Sequence, residues 1–582
     1  MVVNMTNSEV DLVCQRVVDA LEQYILRRKG GADRFAASGR KHVVEKTRKY
    51  VAANQRVEFV LPAFPFKSPS PKKVLGQLPD FGEYYSLYAL NALCETVGEL
   101  YEPGAVLTLV SDGSVYHDAV GVREEDFLRY DAEVRRMGAD FAHLRFLSIQ
   151  DILPEEEYRC YVRNKQEFFA GHLEGFDLDA ALKTDENLLQ VYRGYLKFMT
   201  DDLEVQLDAM DVSKNMKKRH VSAVAKELLR RGHVYSYVLA RKFPDCVRLS
   251  IHCHNNAGPK IAVAVSPHYQ ARTPWHNVMV LRRTGRLELM KLRDAPEDAT
   301  VVTKYGRPWM MVEHDPDLLE WDVPGGAVEW EVTLPFGLIV HFPAGTPLDQ
   351  VPQEQLRRLV LKYGMVVVRG VSTLEDQAQY DRASGDFGVP QSWFFGNVLT
   401  VKDNPDMDVN NVLSKEAMPM HFDGLFKIDE NGKPISPHFQ YFYCKTPAGT
   451  TYFSDTRAYA ELFPSMVDKQ WKVFTPKNES FGGTPMLLDL FEKHRHSGDL
   501  IFRFHEPWGQ EKTVFKPTRV EVLADDGERW AQRFTDSLYS RRFCRHHVWE
   551  ANDIVITDNL ALMHTRPAYT ETHRELWRIH YN

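Results

Sequence analysis

Two stretches decide how the carboxy-terminal half of this chain is interpreted. They are MPMHFDGLF, residues 418–426, and ITDNLALMHTRPAY, residues 556–569. The first stretch contains His421 and Asp423 two residues apart, and on an extended strand both side chains point the same way. The second stretch supplies His564 after an apolar strand. Two histidines and one carboxylate leave three positions of an octahedral ion open, which suits Fe(II) binding a co-substrate and O2 together. We therefore predict an iron site at His421, Asp423 and His564.

The surrounding sequence favours a co-substrate with two carboxylates. Arg574 and Arg578 lie ten and fourteen residues after His564, and two guanidinium groups near a metal pair well with the carboxylates of 2-oxoglutarate. From Gly337 onward the pattern is a strand, the helix QEQLRRLVLKYG, the strand MVVVRG and then many short strands separated by turn formers. Short strands at close spacing predict a β-sandwich or jelly roll.

Other histidines offer alternative ligands in this half. His494 and His496 lie in HRHSGD, which is typical of a polar turn, and His546 and His547 lie in RRFCRHHVWE, which we interpret as a helix end. Both patterns favour surface positions for these side chains.

Composition limits the classes of partner. The 582 residues predict two domains, and 44% apolar with 26% charged residues is typical of a soluble globular protein. A net charge of -8 provides no electrostatic reason to expect nucleic acid or anionic lipid. No apolar run approaches the length of a membrane span, and the amino terminus lacks a signal-peptide pattern. We expect a cytoplasmic protein with small-molecule partners.

The first half is predicted to be an α/β domain. An apolar strand, Val57 to Leu61, precedes a long Pro- and Lys-rich loop, and the strand AVLTLV runs into Asp112. The pattern is mainly helical from Phe127 to Arg231, and the strand-like pieces VRLSIHCH, KIAVAVSP and HNVMVLRR follow. Turn formers in WDVPGGAVEWEVTLPFG mark the boundary, so we place the domains at residues 1–327 and 328–582.

The seven cysteines are scattered singly, which favours neither a disulfide framework nor structural zinc. Cys253 lies between His252 and His254, and the three residues together resemble a metal-binding cluster. Adjacent residues on a strand, however, face opposite ways. Local packing and substrate contact are favoured over zinc there.

Polar residues of the first half suit a phosphorylated substrate, although basic loops are usually just solvated. They are a basic loop with Lys67, Lys72 and Lys73, an exposed Asp112, and a group formed by Arg248, His252 and His276.

Residues from about 335 to 582 resemble the taurine dioxygenase superfamily of Fe(II)/2-oxoglutarate enzymes. The resemblance rests on LRRLVLKYGMVVVRG, on H-x-D, on GTTYFSD and on TDN-x4-H with its trailing arginines. It implies a double-stranded β-helix (jelly roll) with flanking helices, using Fe(II), 2-oxoglutarate and O2. It also implies that Thr451 and Arg574 hold the distal carboxylate of 2-oxoglutarate and Arg578 the carboxylate beside the keto group. The interval from His564 to Arg574 is one residue shorter than in the taurine enzyme, which leaves an exchange of the two arginine roles open.

Residues from about 10 to 320 resemble the pyoverdine/dityrosine biosynthesis family, which includes isocyanide (isonitrile) synthases. The resemblance rests on PFK-x5-KVLG-x2-PD-x-GE, YEPGA, SDG, VRLSIH and TPWHNV, while SIHCH replaces the SIHPH of some relatives. Such enzymes convert the amino group of an amino acid to an isonitrile, with the carbon taken from ribulose 5-phosphate. The resemblance implies anion binding by Lys67, Lys73 and Arg248, and proton transfer or substrate orientation by Asp80, Glu83, Asp112, His252 and His276. Asp80 as a helix cap and His276 as a strand-end residue are the structural alternatives.

Together the two resemblances imply a bifunctional isocyanide synthase and oxygenase of secondary metabolism, as in xanthocillin-type pathways. An L-amino acid, with L-tyrosine favoured and tryptophan and valine open, would become an isonitrile acid and then a vinyl isonitrile. Downstream pathway enzymes are further expected partners. Three alternatives remain: a hydroxylating oxygenase, a first domain that only formylates the amine, and a non-catalytic second domain serving as a scaffold or sensor.

Overall fold

The computed structural model describes residues 5–26, 33–267, 271–393, 396–403, 411–430, 432–474, 485–515, 517–571 and 573–582. The chain forms two compact units, one of residues 1–282 and 287–313 and the other of residues 283–286 and 314–582. The boundary after residue 327 stays a prediction. No helix among the described residues is both long and apolar enough to cross a membrane.

The first unit is built on a parallel sheet. Its strands are β1 (Val57–Pro62), β2 (Ala105–Val110), β3 (Leu144–Leu147), β4 (Val247–Ser250) and β5 (Lys260–Ala262), in the order β3-β2-β1-β4-β5. All four strand pairs are parallel. Every residue of β2 is buried, as expected for a parallel sheet covered by helices. A second sheet has the order β7-β6-β9-β8, from β6 (Val278–Leu281), β7 (Leu287–Met290), β8 (Thr300–Lys304) and β9 (Arg307–Val312).

Helices cover the parallel sheet and confirm the α/β prediction. They are α1 (Asn7–Glu22), α2 (Arg40–Ala52), α3 (Phe81–Leu100), α4 (Gly113–Tyr116), α5 (Glu124–Gly138), α6 (Ile149–Ile152), α7 (Glu155–Arg163), α8 (Lys165–His172), α9 (Leu178–Thr184), α10 (Glu186–Asp202), α11 (Glu204–Ala209) and α12 (Lys214–Lys242). The stretch predicted as mainly helical also contains β3, which the sequence analysis missed. With only four residues, β3 is too short to show a strand period.

The second unit is a jelly roll with flanking helices, as predicted. Its strands are β10 (Glu329–Val332), β11 (Leu338–Thr346), β12 (Met365–Val371), β13 (Val398–Val401), β14 (Phe439–Thr446), β15 (Thr450–Asp455), β16 (Gln470–Phe474), β17 (Met486–Asp489), β18 (Phe491–Lys493), β19 (Leu500–Phe502), β20 (Arg519–Leu523), β21 (Cys544–Val548), β22 (Ile554–Asp558), β23 (Leu562–Thr565) and β24 (Glu575–Tyr581). Its helices are α13 (Pro316–Leu319), α14 (Gln353–Tyr363), α15 (Gln377–Ala383), α16 (Tyr459–Leu462) and α17 (Gly527–Tyr539).

Two sheets of this unit enclose the core around the metal-ligand candidates. The larger has the order β10-β11-β12-β22-β14-β24-β13 and the smaller has the order β21-β15-β23. Phe442 and Val555 of the larger sheet share one apolar cluster with Phe453 and Leu562 of the smaller sheet. Strands β14, β23 and β24 therefore direct polar residues toward a space that apolar packing supports. Three further short strands form the sheet β17-β16-β20, and β18 pairs with β19.

Candidate active sites

His421, Asp423 and His564 lie together in the second unit. Their candidate ligand atoms are all within 4.8 Å of one another. His564 belongs to β23, and its backbone exchanges two hydrogen bonds with His421, of 3.0 and 2.8 Å. The strand predicted for residues 421–423 is wrong in detail: His421 forms an isolated bridge with His564, and Asp423 already lies in a turn. The bridge itself is what sets the two histidine rings side by side, 4.3 Å apart.

Local hydrogen bonds orient these three side chains. The Nδ1 of His421 lies 2.8 Å from the carbonyl oxygen of Pro419, which it can donate to, and its Nε2 lies 3.6 Å from the carboxylate of Asp423. Burial lowers the pKa of His564 to about 3, which keeps its ring neutral. Asn559 accepts from the backbone N–H of Asp423 at 3.0 Å and donates to its carbonyl oxygen at 3.1 Å. Two imidazoles and a carboxylate therefore converge.

The carboxylate of Asp423 is ionised and strongly hydrogen-bonded. Burial would raise its pKa, but Arg578 together with hydrogen bonds from His421 and His580 holds the pKa well below its usual range. Its Oδ2 accepts from Gln440 at 2.6 Å, from Arg578 at 2.8 Å and from His580 at 2.8 Å. The sequence analysis missed His580 and Gln440. His580 follows Arg578 by two residues on β24, and this spacing is the signal that could have identified it.

A cavity lies against this cluster. Arg574 is 4% exposed, and its Nη1 has no acceptor among the described residues. Thr451 accepts a hydrogen bond of 2.9 Å from the indole N–H of Trp549. A buried guanidinium nitrogen without an acceptor is costly, so this cavity suits an added carboxylate. The cavity is lined by Val401, Val412, Met418, His421, Phe442, Thr451, Trp549, His564, Thr565, Arg566, Arg574, Leu576 and Arg578.

The surface prediction for the other histidines is wrong in part. His494 is 4% exposed and lies 2.9 Å from the carboxylate of Asp558, and His547 is 3% exposed. RRFCRHHVWE contains strand β21 rather than a helix end, because this segment pairs with β15. His546 is half-buried and stacks on Tyr452, whereas His496 is exposed as predicted.

Lys67, Asp80 and Glu83 form a buried ion cluster in the first unit. The Nζ of Lys67 lies 2.8 Å from each carboxylate and 3.1 Å from the carbonyl oxygen of Pro274. These three acceptors match the three N–H bonds of Lys67, and its role in anion binding stays a prediction. Asp80 caps α3, which is the structural alternative considered above. Burial raises the pKa of Glu83 to about 7, and Glu83 also accepts from Tyr130 at 3.0 Å.

Lys73 and His276 meet at Asp202 of α10. Asp202 lies 2.6 Å from the Nζ of Lys73 and 3.4 Å from the Nδ1 of His276. Burial opposes ionisation of Asp202, but the charges and hydrogen bonds of His276 and Lys73 lower its pKa to about 2. Sequence reasoning missed Asp202, because one acidic residue in a long helical stretch carries no signal of its own.

Asp112 and His252 lie near Tyr195, also of α10. The hydroxyl of Tyr195 is 3.3 Å from the Nε2 of His252, and the charge of Asp112 adds to the effect of burial in raising the pKa of Tyr195. Asp112 is partly buried rather than exposed as predicted. Its Oδ1 has no hydrogen-bond partner among the described residues, and burial raises its pKa to about 7. Arg248 donates to the hydroxyl of Ser236 at 2.8 Å.

Comparisons with known proteins match each half of the chain to a family. Residues 47–303 match the family of the pyoverdine/dityrosine biosynthesis protein, and residues 331–580 match the TauD, TfdA family of taurine catabolism dioxygenases. The fold and sites therefore define a biosynthetic domain joined to an Fe(II)/2-oxoglutarate dioxygenase domain. The isocyanide synthase xanB of Aspergillus fumigatus is 33% identical over 93% of this chain and 76% of its own length. The chain belongs to the isocyanide synthase family.

Two shorter relatives match the first half. The L-tryptophan isonitrile synthase AmbI2 of Fischerella ambigua is 32% identical over 46% of this chain and 80% of its own length. The L-tyrosine isonitrile synthase of Xenorhabdus nematophila is 30% identical over 42% of this chain and 74% of its own length. The predicted enzyme class, an isocyanide synthase with a dioxygenase domain, is confirmed.

Proposed function

We propose that the first unit converts an L-amino acid and ribulose 5-phosphate to an isonitrile acid, which the second unit oxidises to a vinyl isonitrile. The second step removes the carboxylate from Cα as CO2, and one hydrogen, as two electrons and a proton, from Cβ. The two electrons reduce O2 together with those from 2-oxoglutarate, which becomes succinate and a second CO2, so that one oxygen atom enters succinate and the other leaves as water. The observation that carries this proposal is the cluster of His421, Asp423 and His564 beside a cavity containing a buried, unsatisfied arginine nitrogen.

The residues of the second unit fit the metal and its co-substrate. His421, Asp423 and His564 would hold Fe(II), whose bound form activates O2 when 2-oxoglutarate is present. Arg574 and Thr451 would bind the distal carboxylate, because both line the cavity and Arg574 is buried there. Arg578 now donates to Asp423, and we propose that it binds the carboxylate beside the keto group of 2-oxoglutarate.

Groups in the first unit suit proton transfer. The amine must be unprotonated to attack the sugar ketone, and later steps must move protons between carbon, nitrogen and oxygen. Asp112 has a pKa raised to about 7, which allows it to accept and return a proton near neutral pH. His252 and His276 are its proposed partners, while Lys67, Asp80 and Glu83 hold the loop between β1 and α3 in place.

L-Tyrosine is the favoured amino acid. Relatives named for tyrosine and for tryptophan both match the first half at similar identity, so tryptophan and valine belong in the test.

Purified full-length protein should be incubated with each amino acid and carbon-labelled ribulose 5-phosphate, with and without Fe(II) and 2-oxoglutarate. We expect labelled isonitrile acid without iron and labelled vinyl isonitrile with it, both followed by mass spectrometry. A product that keeps its carboxylate and gains oxygen would indicate hydroxylation, and a labelled formamide would indicate formylation. Absence of any isonitrile would refute the proposal for the first unit.

His421→Ala should stop only the second step, because it removes one of the three metal ligands. The isonitrile acid should then accumulate at the wild-type rate. His496→Ala is the matched control, since His496 is exposed in the same unit. If wild-type protein fails to bind Fe(II) anaerobically, the second unit is a scaffold instead.

A further inference from the structure

Basic side chains gather where β4 and β5 pair. Arg248 of β4 and Lys260 of β5 are register partners in this parallel pair, so their side chains lie on the same face of the sheet. His254 follows β4 in the chain. Burial is the main cause that lowers the pKa of its ring to about 4, and the charge of Lys260 is the second cause. Burial, followed by the charge of Arg248, lowers the pKa of Lys260. Lys260 is therefore within electrostatic reach of both Arg248 and His254.

No carboxylate among the described residues forms an ion pair with Arg248 or Lys260. Arg248 donates to the carbonyl oxygen and the hydroxyl of Ser236, at 3.1 and 2.8 Å, and the charge of Asp33 acts on His254. Two other lysines of this unit are buried and do form ion pairs with carboxylates. Lys67 has two carboxylates at 2.8 Å and Lys73 has one at 2.6 Å. Arg248 and Lys260 are partly buried. Because a cation withdrawn from water without a carboxylate partner is costly, the contrast points to an anion supplied from outside the chain.

His254 adds a directed donor. Its Nδ1 accepts a hydrogen bond of 3.1 Å from the backbone N–H of Asn256, so the neutral ring carries its proton on Nε2. That Nε2 is buried and has no partner among the described residues. The side chain of Asn256 bonds to Leu26 and Ala262 at 3.1 and 2.9 Å, which holds the turn in place. An N–H donor is thus fixed within electrostatic reach of Lys260.

We propose that Arg248, Lys260 and His254 bind the phosphate group of the sugar phosphate, a role that rests on the proposed function of the first unit. Two permanent cations match the charge of a phosphate monoester, whereas an amino-acid carboxylate needs only one.

Lys260→Met in the full-length protein tests this site, with Lys226→Met as control. Lys226 is a partly exposed lysine of the same unit, paired with Asp179. We expect Lys260→Met to raise both the KM for ribulose 5-phosphate and the Kd for inorganic phosphate about 10- to 100-fold. The KM for L-tyrosine should stay unchanged, and Lys260→Arg should restore most of the phosphate affinity. Circular dichroism confirms that each variant is folded, and if Lys260→Met does not fold, His254→Gln takes its place with the same expected increases.

Each outcome decides the assignment. If the KM for ribulose 5-phosphate is unchanged while isonitrile still forms, the phosphate site is wrong and the proposed function stands. If the KM for L-tyrosine rises instead, the cluster binds the amino-acid carboxylate and the assignment is also wrong. If wild-type protein makes no isonitrile, phosphate binding still decides: loss of binding in the variant supports the site, and equal binding by both proteins overturns it.

Discussion

At the scale of single residues, three neighbouring lysines show how environment determines role. In the sequence, Lys67, Lys72 and Lys73 belong to one basic loop and look equivalent. In the structure, their side chains are 0%, 52% and 1% exposed. The difference arises because Asp80, Glu83 and Asp202 surround two of them, whereas Lys72 pairs with Glu204 near the surface. Buried ion pairs of this kind are sensitive to the loss of one partner, since the remaining charge stays buried.

Lys67→Met should therefore destabilise the first unit by about 3–5 kcal/mol, because two buried carboxylates lose their shared cation. Lys72→Met should change stability by less than about 1 kcal/mol, as is usual for an exposed pair. Differential scanning calorimetry of the two variants provides the comparison. Equal melting temperatures for Lys67→Met and wild-type protein would show that Lys67 does not stabilise the fold.

At the scale of elements, the turn between β22 and β23 prepares the metal cluster. Asp558 accepts from the backbone N–H groups of Leu560 and Ala561 at 3.0 and 3.1 Å, and His494 contacts its other oxygen. The next residue, Asn559, holds the backbone of Asp423 by two hydrogen bonds. The TDN motif thus acts through the backbone conformation of the segment that carries a ligand.

Asn559→Ala should weaken Fe(II) binding about 10- to 100-fold while leaving the fold intact, because it removes the bonds that position Asp423. Anaerobic equilibrium dialysis measures the affinity. Asn397→Ala is the control, since Asn397 donates to Asp381 in the same unit without contacting the cluster. Equal iron affinity in both variants would mean that Asp423 is positioned by its side-chain contacts alone.

At the scale of the whole molecule, each proposed reaction has its residues within one unit. The anion and proton-transfer candidates all lie in residues 1–282, and the metal and 2-oxoglutarate candidates all lie in residues 314–582. Neither cluster takes a predicted site residue from the other unit. We therefore expect two steps linked by an isonitrile acid that is released into solution.

A mixture of Asp112→Asn and His421→Ala proteins should form the vinyl isonitrile, although each variant alone forms none. The lag before product appears should lengthen on dilution, because the intermediate must diffuse between molecules. Mass spectrometry of time points follows both compounds. Accumulation of isonitrile acid without vinyl product in the mixture would instead show that the intermediate must stay on one chain.

The sequence alone determined the features that depend on neighbouring residues. Apolar runs identified β1, β2, β12 and α14, and the fold class of both halves is confirmed. The motifs around His421, Asp423 and His564 singled out a group that the structure brings within 4.8 Å, and their assignment as iron ligands stays a proposal. Patterns of this kind are readable because period and turn chemistry act over a few residues.

Only the tertiary structure decided which charges find partners. Lys73 meets Asp202 across 129 residues, and Asp423 meets Asn559 across 136 residues. The burial of His494 and the lack, among the described residues, of a carboxylate paired with Lys260 are likewise results of how the sheets assemble. Electrostatic energy depends on distance and burial in space. No pattern along the chain therefore distinguishes a solvated lysine from a lysine that binds an anion.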